Sequence, residues 1–86
     1  MDYKATFSER LKEERKAKKL SQDEMAIQID ISRPSYTLYE NGKNTPTFEN
    51  LIKIANILKV SLDYLCGLSN IKENRTNIYF NDIWDL

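Results

Sequence analysis

Two runs decide the reading of this chain: Ser21-Gln22-Asp23-Glu24-Met25-Ala26 and Tyr39-Glu40-Asn41-Gly42-Lys43. Between them lies a short break, Ile29-Asp30-Ile31-Ser32. Ser21 and Glu24 have capping-box spacing, which predicts a helix start. Met25, Ala26 and Ile29 form an apolar inner face. Asp30 falls in the turn, where aspartate tolerates left-handed geometry better than most residues. A further helix is expected from near Ser32 to Gly42, with Pro34 in a first turn that has no use for its missing amide. The pieces form a helix, a tight turn and a second helix ending on glycine, which is a helix-turn-helix.

The flanks add three more helices. One is expected from Thr6 or Phe7 to Lys18, with Phe7 and Leu11 one turn apart and Arg15 continuing their face. Lys19 stands at its stop, where glycine costs about 1 kcal/mol less if the backbone is left-handed. Thr47 is read as the cap of a fourth helix, Phe48 to Leu58. Phe48, Leu51, Ile52, Ala55 and Leu58 are spaced as a buried stripe, with Ile54 and Ile57 beside it. Ser61 caps a short fifth helix carrying Leu62 and Leu65 and ending at Gly67. The expected fold is all-α, a five-helix bundle over residues 1–68.

Residues 69–86 differ in composition. Ser69 to Asn77 is polar and asparagine-rich, as in a linker. Ile78, Tyr79, Phe80, Ile83, Trp84 and Leu86 then make an apolar end, where termini are normally polar. Phe80, Ile83 and Trp84 have helical spacing with Asn81 as a possible cap. Ile78-Tyr79-Phe80 equally fits a short strand.

Composition narrows the function. The 86 residues carry 13 basic and 13 acidic side chains, so formal net charge is zero. Residues 1–46 hold nine Lys/Arg against eight Asp/Glu. A nucleic-acid partner would therefore be held by placed charges and helix N-termini, not by a broad basic field. There is no histidine and one cysteine, Cys66. A structural zinc site needs about four Cys/His ligands and is excluded. Cys66 has no histidine to activate it and reads as a small core hydrophobe. With no phosphate-cradling glycine loop, nothing supports an enzyme, and no cofactor is expected. No stretch reads as a signal peptide or membrane span, so a cytoplasmic protein is expected.

Several further runs carry a resemblance: Arg10-Leu11-Lys12, Leu20-Ser21-Gln22, Ile31-Ser32-Arg33, Pro46, Leu51-Ile52-Lys53-Ile54-Ala55 and Val60-Ser61-Leu62-Asp63-Tyr64-Leu65. With the two opening runs they cover roughly three quarters of the chain, Phe7 to Leu68, in order. This resembles the DNA-binding domain of lambdoid phage repressors, Cro proteins and the xenobiotic-response-element group of regulators. The resemblance implies a sequence-specific transcriptional regulator, a repressor of phage, plasmid or mobile-element type, acting as a homodimer on a two-fold operator. It implies that Gln22 meets a phosphate and that Asn41 and Lys43 hold the DNA backbone. Arg33, Pro34, Thr37 and Leu38 would face base edges, with Ser35 beside them on the same helix. Arg15 and Glu40 match a pair that joins the first and third helices in related repressors. Three residues depart from the pattern: Leu38 and Pro34 on the reading face, and Asp30 where the family carries glycine.

Simpler readings stand beside these. Met25, Tyr36 and Tyr39 suit packing. Lys16, Lys18 and Lys19 suit a solvated helix end. The apolar tail is expected to serve a homodimer, with Tyr79, Phe80, Ile83 and Trp84 docking on Ile57, Leu62 and Tyr64. The alternatives are an antitoxin or interaction module whose tail binds a partner protein, and the N-terminal domain of a longer repressor.

Overall fold

The computed structural model describes residues 2–73. Its regular elements are five helices: α1 Tyr3–Ala17, α2 Gln22–Ile29, α3 Arg33–Glu40, α4 Phe48–Leu58 and α5 Leu62–Leu65. Each begins on a side chain that accepts a backbone amide otherwise left unpaired in the first turn: Asp2, Ser21, Ser32, Thr47 and Ser61. Ser21 and Glu24 complete the full capping box. α1 starts earlier than Thr6. The Asp2 carboxylate accepts from the Ala5 amide and brings Tyr3 into the helix. Tyr3 stands four residues before Phe7 and eight before Leu11, so the apolar spacing extends back to this start, and Asp2 is a residue type that favours the cap position.

All five helices stop in the same way. A residue with positive φ follows each: Lys19, Asp30, Gly42, Lys59 and Gly67. The next amide then reaches back to the carbonyl five residues earlier, in the pairs Leu20–Arg15, Ile31–Ala26, Lys43–Leu38, Val60–Ala55 and Leu68–Asp63. This is the Schellman closure, which satisfies the last carbonyls of the helix. Both glycines of the chain serve it. Gly42 and Gly67 have φ of 78° and 83°, which glycine adopts without strain.

The core forms where the helices face one another. Leu11, Met25, Ile29, Tyr36, Ile54, Leu58, Val60 and Leu65 are fully enclosed. α1 packs on α3 and α5, while α4 packs on α2 and α5. Tyr36 and Tyr39 meet edge to face at 6.2 Å, and Tyr39 accepts a hydrogen bond from Asn50. Met25, Tyr36, Tyr39 and the half-buried Cys66 are packing residues, as the simpler reading had them. The stripe on α4 needs one correction. Its buried centre is Ile54, Ala55 and Leu58, and Phe48 is 79% exposed. Spacing locates a face of a helix but not the point at which its neighbours end, and Phe48 lies in the first turn.

Residues 69–72, the first part of the expected linker, form a strap against the domain. After Gly67 the chain turns back along α1. A Cβ on Gly67 would stand 3.2 Å from Thr6 and 3.3 Å from Tyr3, so glycine permits the close approach. Arg10 then donates to the Ser69 carbonyl and the Asn70 side chain, both at 2.8 Å, and stacks 4.2 Å above the Tyr64 ring. Lys72 pairs with Glu14 at 3.1 Å, and Ser61 bonds to the carbonyls of Ile71 and Lys72. Thr6, Arg10 and Glu14 are spaced four apart, so one face of α1 holds the strap turn by turn.

The closures generate a prediction. Lys59 has φ of 56°, where a Cβ costs about 1 kcal/mol. Lys59→Gly should raise stability by up to about 1 kcal/mol, part of the gain being offset by a more flexible unfolded chain. Lys59→Ala should gain little, because its Cβ remains. Urea melts give the comparison. A loss of stability in the glycine variant would contradict the strain at this closure.

Candidate nucleic-acid interface

The centre of the helix-turn-helix is one carboxylate. Glu40 ends α3 with its side chain 4% exposed. Its Oε2 accepts from Arg15 Nε at 2.5 Å and from the Tyr36 hydroxyl. Its Oε1 accepts from Arg15 Nη2 at 3.0 Å and Gln22 Nε2 at 3.1 Å. Arg15 also donates to the Leu20 carbonyl at 2.9 Å. Burial by itself would raise the Glu40 carboxyl, but hydrogen bonds from Arg15, Tyr36 and Gln22, with the Arg15 charge, outweigh it and hold the group below the usual carboxylate range. Burial and the neighbouring Glu40 push the Tyr36 hydroxyl the other way, so it stays protonated and donates. Through this group α1, α2 and α3 are held at fixed relative positions.

The network continues to the surface. Thr37 Oγ1 donates to Gln22 Oε1 at 3.0 Å. Gln22 opens α2 and Thr37 lies on the outer side of α3, both partly exposed. Arg33 and Thr37 are one turn apart, and Asn41 follows at the helix end. Arg33 is exposed and lies 3.6 Å from Asp23, a loose pair with both side chains about 60% exposed. Pro34 and Ser35 are exposed in the first turn, where the Ser32 hydroxyl donates to that of Ser35. Leu38 is half-buried. Asn41 accepts the Lys43 amide, and the Lys43 carbonyl accepts from Lys4 at 3.1 Å. The start of α2 and the outer side of α3 are joined by the Gln22–Thr37 hydrogen bond, with Arg33 exposed in the first turn of α3, while Lys43 and Lys4 lie together at the loop after it. Such an arrangement can offer amides, an arginine fork and a lysine to a polyanion.

The helix-turn-helix family pattern matches residues 11–65. The chain belongs to the helix-turn-helix family. It is 57% identical over 67 residues to an uncharacterized HTH-type transcriptional regulator of Bacillus subtilis, YqaE, covering 77% of this chain and 58% of that protein. It is 49% identical over 69 residues to the cryptic phage CTXphi transcriptional repressor RstR of Vibrio cholerae, covering 80% of this chain and 62% of that one. The chain therefore spans less than two thirds of the length of these two relatives. Among solved structures, it resembles the restriction-modification controller protein C.AhdI of Aeromonas hydrophila, with TM-score 0.65 and 31% identity over 71% of this chain and 92% of that one.

Within this helix-turn-helix domain, Arg33, Pro34, Ser35, Asn41 and Lys43 are exposed, while Gln22, Thr37 and Leu38 are half-buried. The expected Arg15–Glu40 pair is formed. Gln22 differs from the simplest expectation: one of its amide hydrogens is committed to Glu40 and its carbonyl to Thr37. Tyr36 as a partner of Glu40 went unread, although their i, i+4 spacing could have suggested it. Arg10, which belongs to the run Arg10-Leu11-Lys12, clamps the strap through Ser69, Asn70 and Tyr64, a role with no local signal in the sequence. Of the residues expected at a dimer interface, Leu62 is 38% exposed and Ile57 is half-buried. Tyr64 is 7% exposed, enclosed beneath Arg10 and Lys72, and so offers no open docking surface. Tyr79, Phe80, Ile83 and Trp84 lie outside the described residues. No helix among the described residues is long and apolar enough to cross a membrane.

The Glu40 network sets stability. Arg15→Met or Glu40→Gln should each cost about 3–5 kcal/mol, since either leaves a buried polar partner stranded. The double variant should cost less than the two singles together. The folded Glu40 titrates below its unfolded value, so its contribution is complete above about pH 4–5 and disappears as pH falls through the lower folded value. Denaturant melts from pH 7 to 2.5 should show the wild type losing stability in that acid range more steeply than Glu40→Gln. Single losses under about 1 kcal/mol would mean an exposed pair.

Proposed function

We propose that this chain is a sequence-specific DNA-binding transcriptional regulator, a repressor that occludes a promoter as a homodimer. The observation that carries this reading is the surface of α3, with Arg33, Thr37, Leu38 and Asn41 turned outward and Gln22 held alongside by Glu40. A helix locked at this angle can enter the major groove, where Arg33 can form the two-pronged contact to guanine O6 and N7. Leu38 suits a thymine methyl. The second Gln22 amide hydrogen, Asn41 and Lys43 suit phosphates on either side. Pro34 and Ser35 complete the approach at the helix start. No cofactor is needed, and the cytoplasm is the compartment where such a protein meets its operator. Names of the relatives, a phage repressor and a restriction-modification controller among them, support the same class.

A homodimer would present two such helices to half-sites about one helical turn apart, roughly 34–36 Å. Leu62 at 38% exposure and Ile71 at 42% flank the Ser61 anchor and, with Ile57, suit a self-association surface. The apolar residues Tyr79, Phe80, Ile83 and Trp84 could extend it. Burial of such side chains stabilises by about 1.5–3 kcal/mol each.

Arg33→Ala should weaken binding to the selected operator by about 1–3 kcal/mol and relax preference at one base position. Lys43→Ala should weaken specific and random DNA about equally and lower the salt slope by roughly 1. Fluorescence anisotropy on both duplexes at several salt concentrations separates the two. Equal losses for both variants on both duplexes would remove Arg33 from base reading.

Shortening the chain tests the dimer. A chain ending at Glu73 keeps the strap contacts of Ile71 and Lys72, which ending at Asn70 would cut. It should keep the fold, dimerise more weakly and bind a two-half-site operator less tightly. Light scattering and DNA titration are the readouts. Unchanged mass and affinity would sink the role of the tail in dimerisation and favour a partner protein or a further domain.

A further inference from the structure

We propose that Thr37 is a specificity-determining residue whose hydroxyl meets the DNA as an acceptor only, so that it selects a base bearing an exocyclic amine, adenine or cytosine, on the strand it contacts. The inference rests on the DNA-binding reading above and adds to it the polarity of one contact.

The ionised Glu40 carboxylate accepts hydrogen bonds and gives none. Arg15 and Tyr36 donate to it from one side, and Gln22 lies 3.1 Å from its Oε1. The Gln22 amide must turn its nitrogen toward that oxygen, because its own carbonyl there would set two acceptors face to face. The charge on Glu40 therefore fixes which way the amide points. Gln22 Oε1 is thereby turned toward Thr37 Oγ1, 3.0 Å away. A carbonyl has no proton to give, so the single hydroxyl proton of Thr37 goes to Gln22. What remains on the outer side of Thr37 is a lone pair and a methyl group.

The major groove distinguishes this from an ordinary threonine. Adenine and cytosine present N6 and N4 amines there, while guanine and thymine present O6 and O4 acceptors. A free hydroxyl can rotate to suit either kind. One whose proton is already committed is matched to an amine and faces an acceptor unpaired. Gln22 is thus a positioning residue for this selection, and Glu40 sets its direction from inside the domain.

The test uses the full chain and its best duplex from a binding-site selection. Wild type and Thr37→Val are titrated against duplexes lacking one exocyclic amine at a time, purine replacing adenine and 2-pyrimidinone replacing cytosine. A second series replaces purines by 7-deazapurines. One amine deletion should weaken wild type by about 3- to 10-fold, the size of one hydrogen bond, and leave Thr37→Val unmoved. At that position, inverting the base pair should weaken wild type more than Gln22→Met, whose Thr37 hydroxyl is freed to donate. Thermal melts of both variants confirm that they fold. Coupling of Thr37 to a purine N7, or to no amine at all, overturns the proposal while leaving DNA binding intact. A wild type that selects no sequence overturns the DNA reading itself, and this inference with it.

Discussion

Glu40 is the interaction on which the rest depends. A carboxylate this enclosed is costly to desolvate unless its oxygens are matched by donors. Here four hydrogen bonds meet it, from Arg15, Tyr36 and Gln22, which belong to three different helices. Apolar packing alone would hold α1, α2 and α3 together but would allow small slides and rotations. The carboxylate does not, because its donors have fixed directions. α2 and α3 are eight residues each, too short to be stable alone, so their angle must be set by tertiary contacts such as these.

The same group connects stability to the outer surface. Its hydrogen bonds run from a buried charge through Gln22 to Thr37, and the direction of each donor follows from the one before. A neutral glutamine at position 40 could turn either way and would pass no direction on. The ion pair thus has a role that a hydrophobic substitute of equal volume could not fill. A second clamp at the opposite side of α1 has different chemistry. Arg10 lies over Tyr64 and takes the carbonyl of Ser69, so the chain leaving α5 is held against α1. These two arginines, five residues apart on one helix, brace the domain on its two faces.

Zero net charge bears on how such a protein finds a polyanion. With as many acidic as basic residues, long-range attraction is weak, and contact must depend on individually placed cations. Asp23 beside Arg33 adds to this restraint, since it partly offsets the guanidinium until a stronger partner displaces it. Under the proposed function such a protein gains little from non-specific binding, and the fit of α3 to its DNA site counts for proportionally more.

The sequence by itself determined what is written within four or five residues. Ser21, Ser32, Thr47 and Ser61 marked helix starts, Gly42 and Gly67 marked stops, and periodic apolar residues gave Leu11, Met25, Ile29 and Leu58 to the core. Lys19 and Asp30 were legible as left-handed positions because each follows a periodic run that must close. The Arg15–Glu40 pair was readable only by resemblance, since nothing local joins residues 25 apart. Tertiary structure alone decided the rest: the exposure of Phe48, the enclosure of Tyr64, the strap over Arg10, and the turn of the Gln22 amide toward Glu40. Caps and closures are local hydrogen bonds and leave a fixed spacing in the chain. A buried charge recruits its donors from wherever folding brings them, and that spacing is written nowhere until the helices pack.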